Sequence, residues 1–307
     1  MDPITWPELP YEDWRPTKET LHRYAQIVGK IRMALTPPRN HWWHVTLRVS
    51  ALGLTTGPMP YGGDAVEIEF DLVHQTMRFR RSDGREARFG LRGPLPVAHF
   101  HTQALAALKA IGVEAGIDAR PFGLGESPAF ADDAEHFEYD AEAVERWWTV
   151  LRLSDQVLDR FATRFNGKAS PTHLFWHSLD LAHGRYSGRP APAAAGVDPV
   201  SAEAYSHEVI AFGWWPGDER TTPFPAFYSY TAPEPAGLRD HPLEPRDATW
   251  QSAGSGSLAI LPYDSVRTAA DPEETLLAFL ESAYRAGATS AGWDLDAFAT
   301  LRPLTGA

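Results

Sequence analysis

The 307-residue chain has no cysteine. That excludes disulfides, thiolate zinc sites and cysteine nucleophiles. Basic residues are also scarce: 28 Lys and Arg against 40 Asp and Glu give a formal net charge of −12. A nucleic-acid binder normally carries a basic stripe that displaces counterions. The densest basic run here, "RFRRSDGRE", is interleaved with acids, so no nucleic-acid partner is expected. No stretch approaches the roughly 20 apolar residues of a membrane span, so no membrane partner is expected either. The start, "MDPITWPELPYEDWRP", lacks the basic head and apolar run of a secretory signal, which predicts a cytoplasmic protein. Apolar residues, by contrast, make up 43% of the chain, with 11 Trp, 10 Tyr and 15 Phe, enough for a large aromatic core.

Periodicity organises the chain. Leu21, Tyr24, Ala25, Val28, Ile31 and Leu35 recur at helical spacing over 18–35, and Pro37-Pro38 ends the run. The stretch "NHWWHVTLRV", extended to about residue 52, reads as a strand. "AVEIEFDLV", "TMRFRRS" and "EARFGL" then read as a meander. A tight turn at His74-Gln75 would set Asp71 opposite Arg78, Phe70 opposite Phe79 and Glu69 opposite Arg80. A three-residue loop at Asp83-Gly84 would align Phe79 with Phe89. Pro96 opens a helix that ends near Gly112. After a Pro/Gly/Asp-rich connection over 116–139 the order restarts. Asp140 caps a long helix, strands follow near 173–182, 205–213, 226–231 and 257–262, and Asp271-Pro272-Glu273-Glu274 starts a last helix. The "SGRPAPAAAGVDP" segment between the first two of these strands is a long loop.

Both halves thus read helix, four strands, helix. "HWWHVTLRVSALGLTTG" also lies over "HLFWHSLDLAHGRYSG", setting His41 on His173, Leu47 on Leu179 and Gly57 on Gly188. The expected class is α+β: two repeated α-ββββ-α units, residues 1–125 with the N-terminal arm and 126–307 with the C-terminal tail. Antiparallel sheets would pack against helices about a pseudo-two-fold, the halves forming one body.

On a strand His41 and His44 point to opposite faces about 10 Å apart, so they do not chelate one ion by themselves. One face, with His41, Trp43, Val45 and Leu47, is mostly apolar. The other carries Trp42, His44, Thr46 and Arg48, matched by Trp176, Ser178 and Asp180 in the second copy. Aromatics offer stacking area, Arg grips carboxylate or phosphate, and His moves protons near neutral pH. The predicted function is therefore binding of a small polar molecule between the halves, with an enzymatic role open. Arg48 would anchor an anion, His44 would handle a proton, Asp180 would orient a partner, and Trp42, Thr46, Trp176 and Ser178 would line the site. Arg48–Asp180 reads equally well as a buried ion pair. His207 and Glu208 are further catalytic candidates, although neighbours on a strand diverge. Two alternatives stand beside this: a metalloenzyme drawing on His41, His44, His173, His207 and Glu208, and a non-catalytic interaction protein with an exposed aromatic patch. Neither a cofactor nor an oligomeric state is readable.

With those segments placed, the sequence resembles an uncharacterised bacterial family, domain of unknown function 5996. The carrying segments are "WPELPYEDW", "TLHRYAQIVGKIRMAL", "NHWWHVTLRV", "GLTT", "SPTHLFWHSLDLA", "YSHEV", "LPYDSVR" and "LLAFLESAYRAGA", spanning Trp6 to about Trp293. The resemblance implies no activity and supplies no catalytic residues. The chain departs from the family pattern at His177, where glycine is usual.

Overall fold

The structure, a computed structural model, describes residues 5–191, 196–254 and 256–300. In chain order these form α1 (Tyr11–Leu35), β1 (Arg48–Val49), β2 (Gly53–Thr55), β3 (Met59–Tyr61), β4 (Asp64–Asp71), β5 (Thr76–Arg81), β6 (Glu86–Gly90), α2 (Val97–Ala110) and α3 (Ala141–Ala162). There follow β7 (Lys168–Ala169), β8 (His173–Phe175), β9 (Asp180–Pro190), α4 (Pro199–Ala204), β10 (His207–Trp215), β11 (Ala226–Ala232), β12 (Thr249–Ala253), β13 (Gly256–Pro262), α5 (Tyr263–Arg267), α6 (Pro272–Ser290) and α7 (Leu295–Phe298). The class is α+β, with antiparallel sheets packed against helices.

The chain divides into two compact units. The first comprises Leu9–Arg152 and His173–Asp180; the second comprises Met1–Glu8, Leu153–Thr172 and Leu181–Ala307.

In the first unit, α1 starts seven residues earlier than its apolar spacing predicts. Trp14 is buried and packs on Trp147, ring centroids 6.2 Å apart, which holds the opening turns helical even though Pro16 removes one backbone donor. The sheet runs β1-β2-β4-β5-β6, with β3 also on β4. Its inner face meets α1 and α2 through Phe100, which stacks on Tyr24 at 4.0 Å and lies 6.2 Å from Phe70.

The meander forms, but its register is two residues from the expected one: Glu69 faces Arg78 and Ile68 faces Phe79, while Met77, not Phe79, faces Phe89. The turn is longer than a two-residue hairpin. Asp71 accepts the His74 backbone N–H at 2.9 Å, Gln75 Nε2 donates to Leu72 O at 2.6 Å, and Gln75 itself takes φ 53. A slip of two keeps every side chain on its face, so the apolar pattern does not report it.

The larger correction concerns residues 40–46, which are not a strand. Asn40–Trp42 form a 3₁₀ turn continued to Val45, and regular pairing begins only at Leu47, which bridges Leu174. His41 and Trp42 take φ 55 and 59, a left-handed pair costing roughly 1–2 kcal/mol per residue. Alternating faces therefore do not govern His41, Trp42 or His44. The segment aligned with it is also broken, by a turn over 176–179 after β8. The two are built differently: the turn precedes the strand in one and interrupts it in the other.

In the second unit the sheet runs β12-β13-β11-β10-β9-β7. Strand pairs lacking apolar alternation, β12 and β7, went unpredicted. Asp271 accepts the Glu274 N–H at 3.1 Å and starts α6 as expected, and Asp140 likewise accepts the Glu142 N–H at 2.9 Å at the start of α3. Phe161 packs edge-on against Phe212 at 4.8 Å, and the N-terminal arm joins this unit, with Trp6 6.3 Å from Phe227 and Tyr263 donating to Pro7 O at 2.7 Å. Within the long 187–199 segment, β9 persists to Pro190; residues 192–195 lie outside those described. No helix among the described residues is long and apolar enough to cross a membrane.

Candidate functional site

The most distinctive chemistry of the first unit gathers at the C-terminal end of α1. Arg32 occupies the last turn, on the stripe of Val28 and Leu35, and is buried at 8% exposure. Its Nη1 donates to Thr56 O at the end of β2, while Nε has no hydrogen-bond partner. Pro37-Pro38 then prevents the helix continuing, and the chain folds back so that the Arg39 N–H donates to His44 Nδ1 at 3.2 Å. With Nδ1 accepting, the neutral His44 ring carries its proton on Nε2. The indole of Trp42 stacks on that ring, centroids 5.5 Å apart. Beyond the turn, β1 is the sheet's edge strand, and Arg48 stands on it opposite Thr55, exposed.

Arg32, Arg39, His44 and Arg48 crowd one another. The Arg32 pKa is pushed down to about 10 by burial, then by the charges of Arg48 and Arg39. His44 is lowered too, by burial first, with Arg32 and Arg39 adding to the effect. Among the described residues none of the three arginines makes an ion pair. Glu69, next along the row from Thr55, is held by Arg80 at 2.9 Å and by Ser50 at 3.3 Å. Arg32 and Arg39 were not singled out in the sequence. Arg32 lies four residues after Val28 and three before Leu35, so helical spacing already put it on the buried face; nothing marked Arg39.

The other predicted residues are distributed as follows. Thr46 is buried; its hydroxyl donates to Trp43 O at 3.2 Å and lies 3.2 Å from His173 Nδ1. Trp176 is 5% exposed, donates Nε1–H to Val45 O at 3.0 Å, and lies flat on Gly29, where a Cβ would come within 2.1 Å of the indole. These contacts clamp 45–47 against 174–176. Ser178 donates to Asp180, whose charge acts on His177; that ring is flanked by Phe122 and Phe175, and desolvation lowers its pKa. The expected Arg48–Asp180 ion pair is not formed: among the described residues Arg48 pairs with no carboxylate. His207 and Glu208 belong to the second unit. Glu208 accepts from Arg189 Nη2 at 2.7 Å, Ser187 at 2.8 Å and Trp293 at 2.9 Å, and His207 Nδ1 is 3.2 Å from the Ser206 hydroxyl.

Among the described residues no three His, Asp or Glu side chains come together as metal ligands. His41 packs on Trp43 at 5.4 Å and His173 on Phe175 at 4.8 Å. Every tryptophan is at least half-buried; the exposed large apolar residues are scattered ones such as Val73, Phe122 and Tyr205. An open depression of the first unit, about 550 Å³ and lined by Arg120, Pro121, Gly125, Glu126, Ser127 and Pro128, carries both charge signs.

An α+β protein with an uncompensated basic cluster at a sheet edge is thus the class that fold and side chains define. The chain belongs to the family of unknown function DUF5996, whose model matches residues 6–300. No curated protein and no solved structure matches it.

Proposed function

We propose that the protein binds a small anionic molecule, carrying a carboxylate or phosphate, at Arg32, Arg39, His44 and Arg48. The observation that carries this reading is three arginines held together beside a histidine with no carboxylate among them, in a chain whose net charge is −12. Like charges brought together cost free energy unless an opposite charge joins them, and arginine stays protonated and offers a planar fork to oxyanions. Arg39 and Arg48 are exposed and give an anion its entry, while Arg32 and His44 are buried and meet it with less water between. Neutral His44 contributes the Nε2–H donor.

The test is calorimetric titration with inorganic phosphate, sulfate and a simple carboxylate. Arg48→Ala lowers affinity about tenfold or more, the size of one charge-assisted contact. Asp180→Ala leaves affinity unchanged. An unliganded wild-type protein at millimolar anion, or equal affinity in Arg48→Ala, overturns the reading.

A further inference from the structure

The second unit contains a different unpaired cation, fully enclosed. Arg185 on β9 is 0% exposed. Its guanidinium is sandwiched between the Phe161 ring, 3.4 Å from the centroid, and the Tyr284 ring at 4.3 Å, with Phe165 at 5.1 Å. One nitrogen, Nη2, donates to Phe161 O at 2.6 Å, in the last turn of α3, where the helix dipole favours a cation. The other two, Nε and Nη1, have no hydrogen-bond partner. Among the described residues no carboxylate forms an ion pair with Arg185: Glu281, whose charge acts on it, is held by Arg164 at 3.0 Å.

Two neighbours share the condition. His183, two residues along the same face of β9, is 1% exposed; the Ser170 backbone acts on its ring without closing a hydrogen bond of ordinary geometry, and the Tyr284 hydroxyl has no hydrogen-bond partner. His183 is neutral near pH 7: burial, then the charge of Arg185, push its pKa down to about 3. Burial also lowers Arg185, but only to about 10, so it keeps its charge.

This inventory is unbalanced in one direction. Donors outnumber acceptors: the guanidinium supplies only N–H groups, neutral His183 offers one N–H beside one acceptor nitrogen, and the Tyr284 hydroxyl can donate as well as accept. A cation is repelled there. A buried charge without a counter-ion is costly, and stacking on two rings offsets part of that cost. A monoanion would neutralise the single formal charge; a dianion would leave one buried in excess. The surrounding Phe161 and Phe212 are wholly buried, which excludes an organic acid of any bulk, while Phe165 and Tyr284, each 8% exposed, bring the cluster nearest to solvent.

We propose that Arg185, with Tyr284 and His183, forms an internal seat for a small monovalent anion of chloride size, separate from the cluster at Arg48. The experiment is chloride titration followed by ³⁵Cl NMR line broadening, with thermal melting in sodium chloride against sodium fluoride at equal ionic strength. Saturable broadening and chloride-specific stabilisation are expected in the wild type, and both persist in Arg39→Ala/Arg48→Ala, which removes the other basic site. Tyr284→Phe keeps the aromatic sandwich but loses one donor, and weakens chloride binding about fivefold. Arg185→Met abolishes it if the variant folds. A wild type without saturable broadening, broadening that disappears in Arg39→Ala/Arg48→Ala, or a Tyr284→Phe protein with unchanged affinity overturns the proposal.

Discussion

Two groups of arginines in the first unit differ in one respect. On the polar face of the sheet, Arg78 meets Asp71 at 3.0 Å and Arg80 meets Glu69 at 2.9 Å and Glu67 at 3.3 Å; Arg81, on the opposite face of β5, meets Asp64 at 2.7 Å. At the sheet's edge, Arg32, Arg39 and Arg48 meet no carboxylate among the described residues. The first group stitches strands and is ion-paired throughout. The second raises local potential that no ion pair among the described residues offsets, the condition an anionic ligand would resolve. Counting arginines would not separate the two groups; counting their partners does.

The comparison can be broken from either side. The largest effect belongs to Asp71, fully buried, which takes the His74 N–H as well as Arg78. Asp71→Ala strands those donors and costs about 3 kcal/mol or more in urea unfolding, with anion affinity retained by the folded fraction. Next, Arg39→Ala/Arg48→Ala lowers phosphate affinity about a hundredfold by calorimetry while leaving the melting temperature at least as high, since repulsion is relieved. A loss of stability with unchanged affinity would reverse the assignment of the two groups.

A smaller effect comes from pH. The folded-state pKa of His44 lies below its unfolded value, so the unliganded protein loses stability as pH falls through the ordinary histidine range near 6.5. Sulfate binding, by contrast, tightens several-fold over the same fall because His44 gains a charge, and it restores part of that stability. His44→Gln flattens both curves. The smallest effect is that of Arg80→Ala: its ion pairs are partly solvated, and unfolding free energy changes by no more than about 1 kcal/mol.

Local signals were legible wherever one residue settles a local contest. Asp140 and Asp271 read as helix caps and are caps, because a side-chain oxygen near an unpaired N–H needs no distant partner. The face of each meander residue was legible and its register was not, since a shift of two leaves alternation intact. Residues 40–46 were misread because Val45, Thr46 and Leu47 favour extended chain. The contacts that hold the preceding turn are Arg39 to His44 locally, then Trp176 and His173 from far along the sequence. Of the site, Arg48 and His44 were named from their chemistry. Arg32 was missed because a charged residue in a last helical turn ordinarily reads as solvated.

Sequence alone determined the α+β class, the main helices with their capped starts at Asp140 and Asp271, and family membership, since caps, periodicity and shared segments are written along the chain. Only the tertiary structure decided which charges are paired. Pairs three or four apart on a helix, such as Arg23 and Glu19, are set by spacing, but a salt bridge between distant segments depends on where two backbones bring their side chains, which no local spacing encodes.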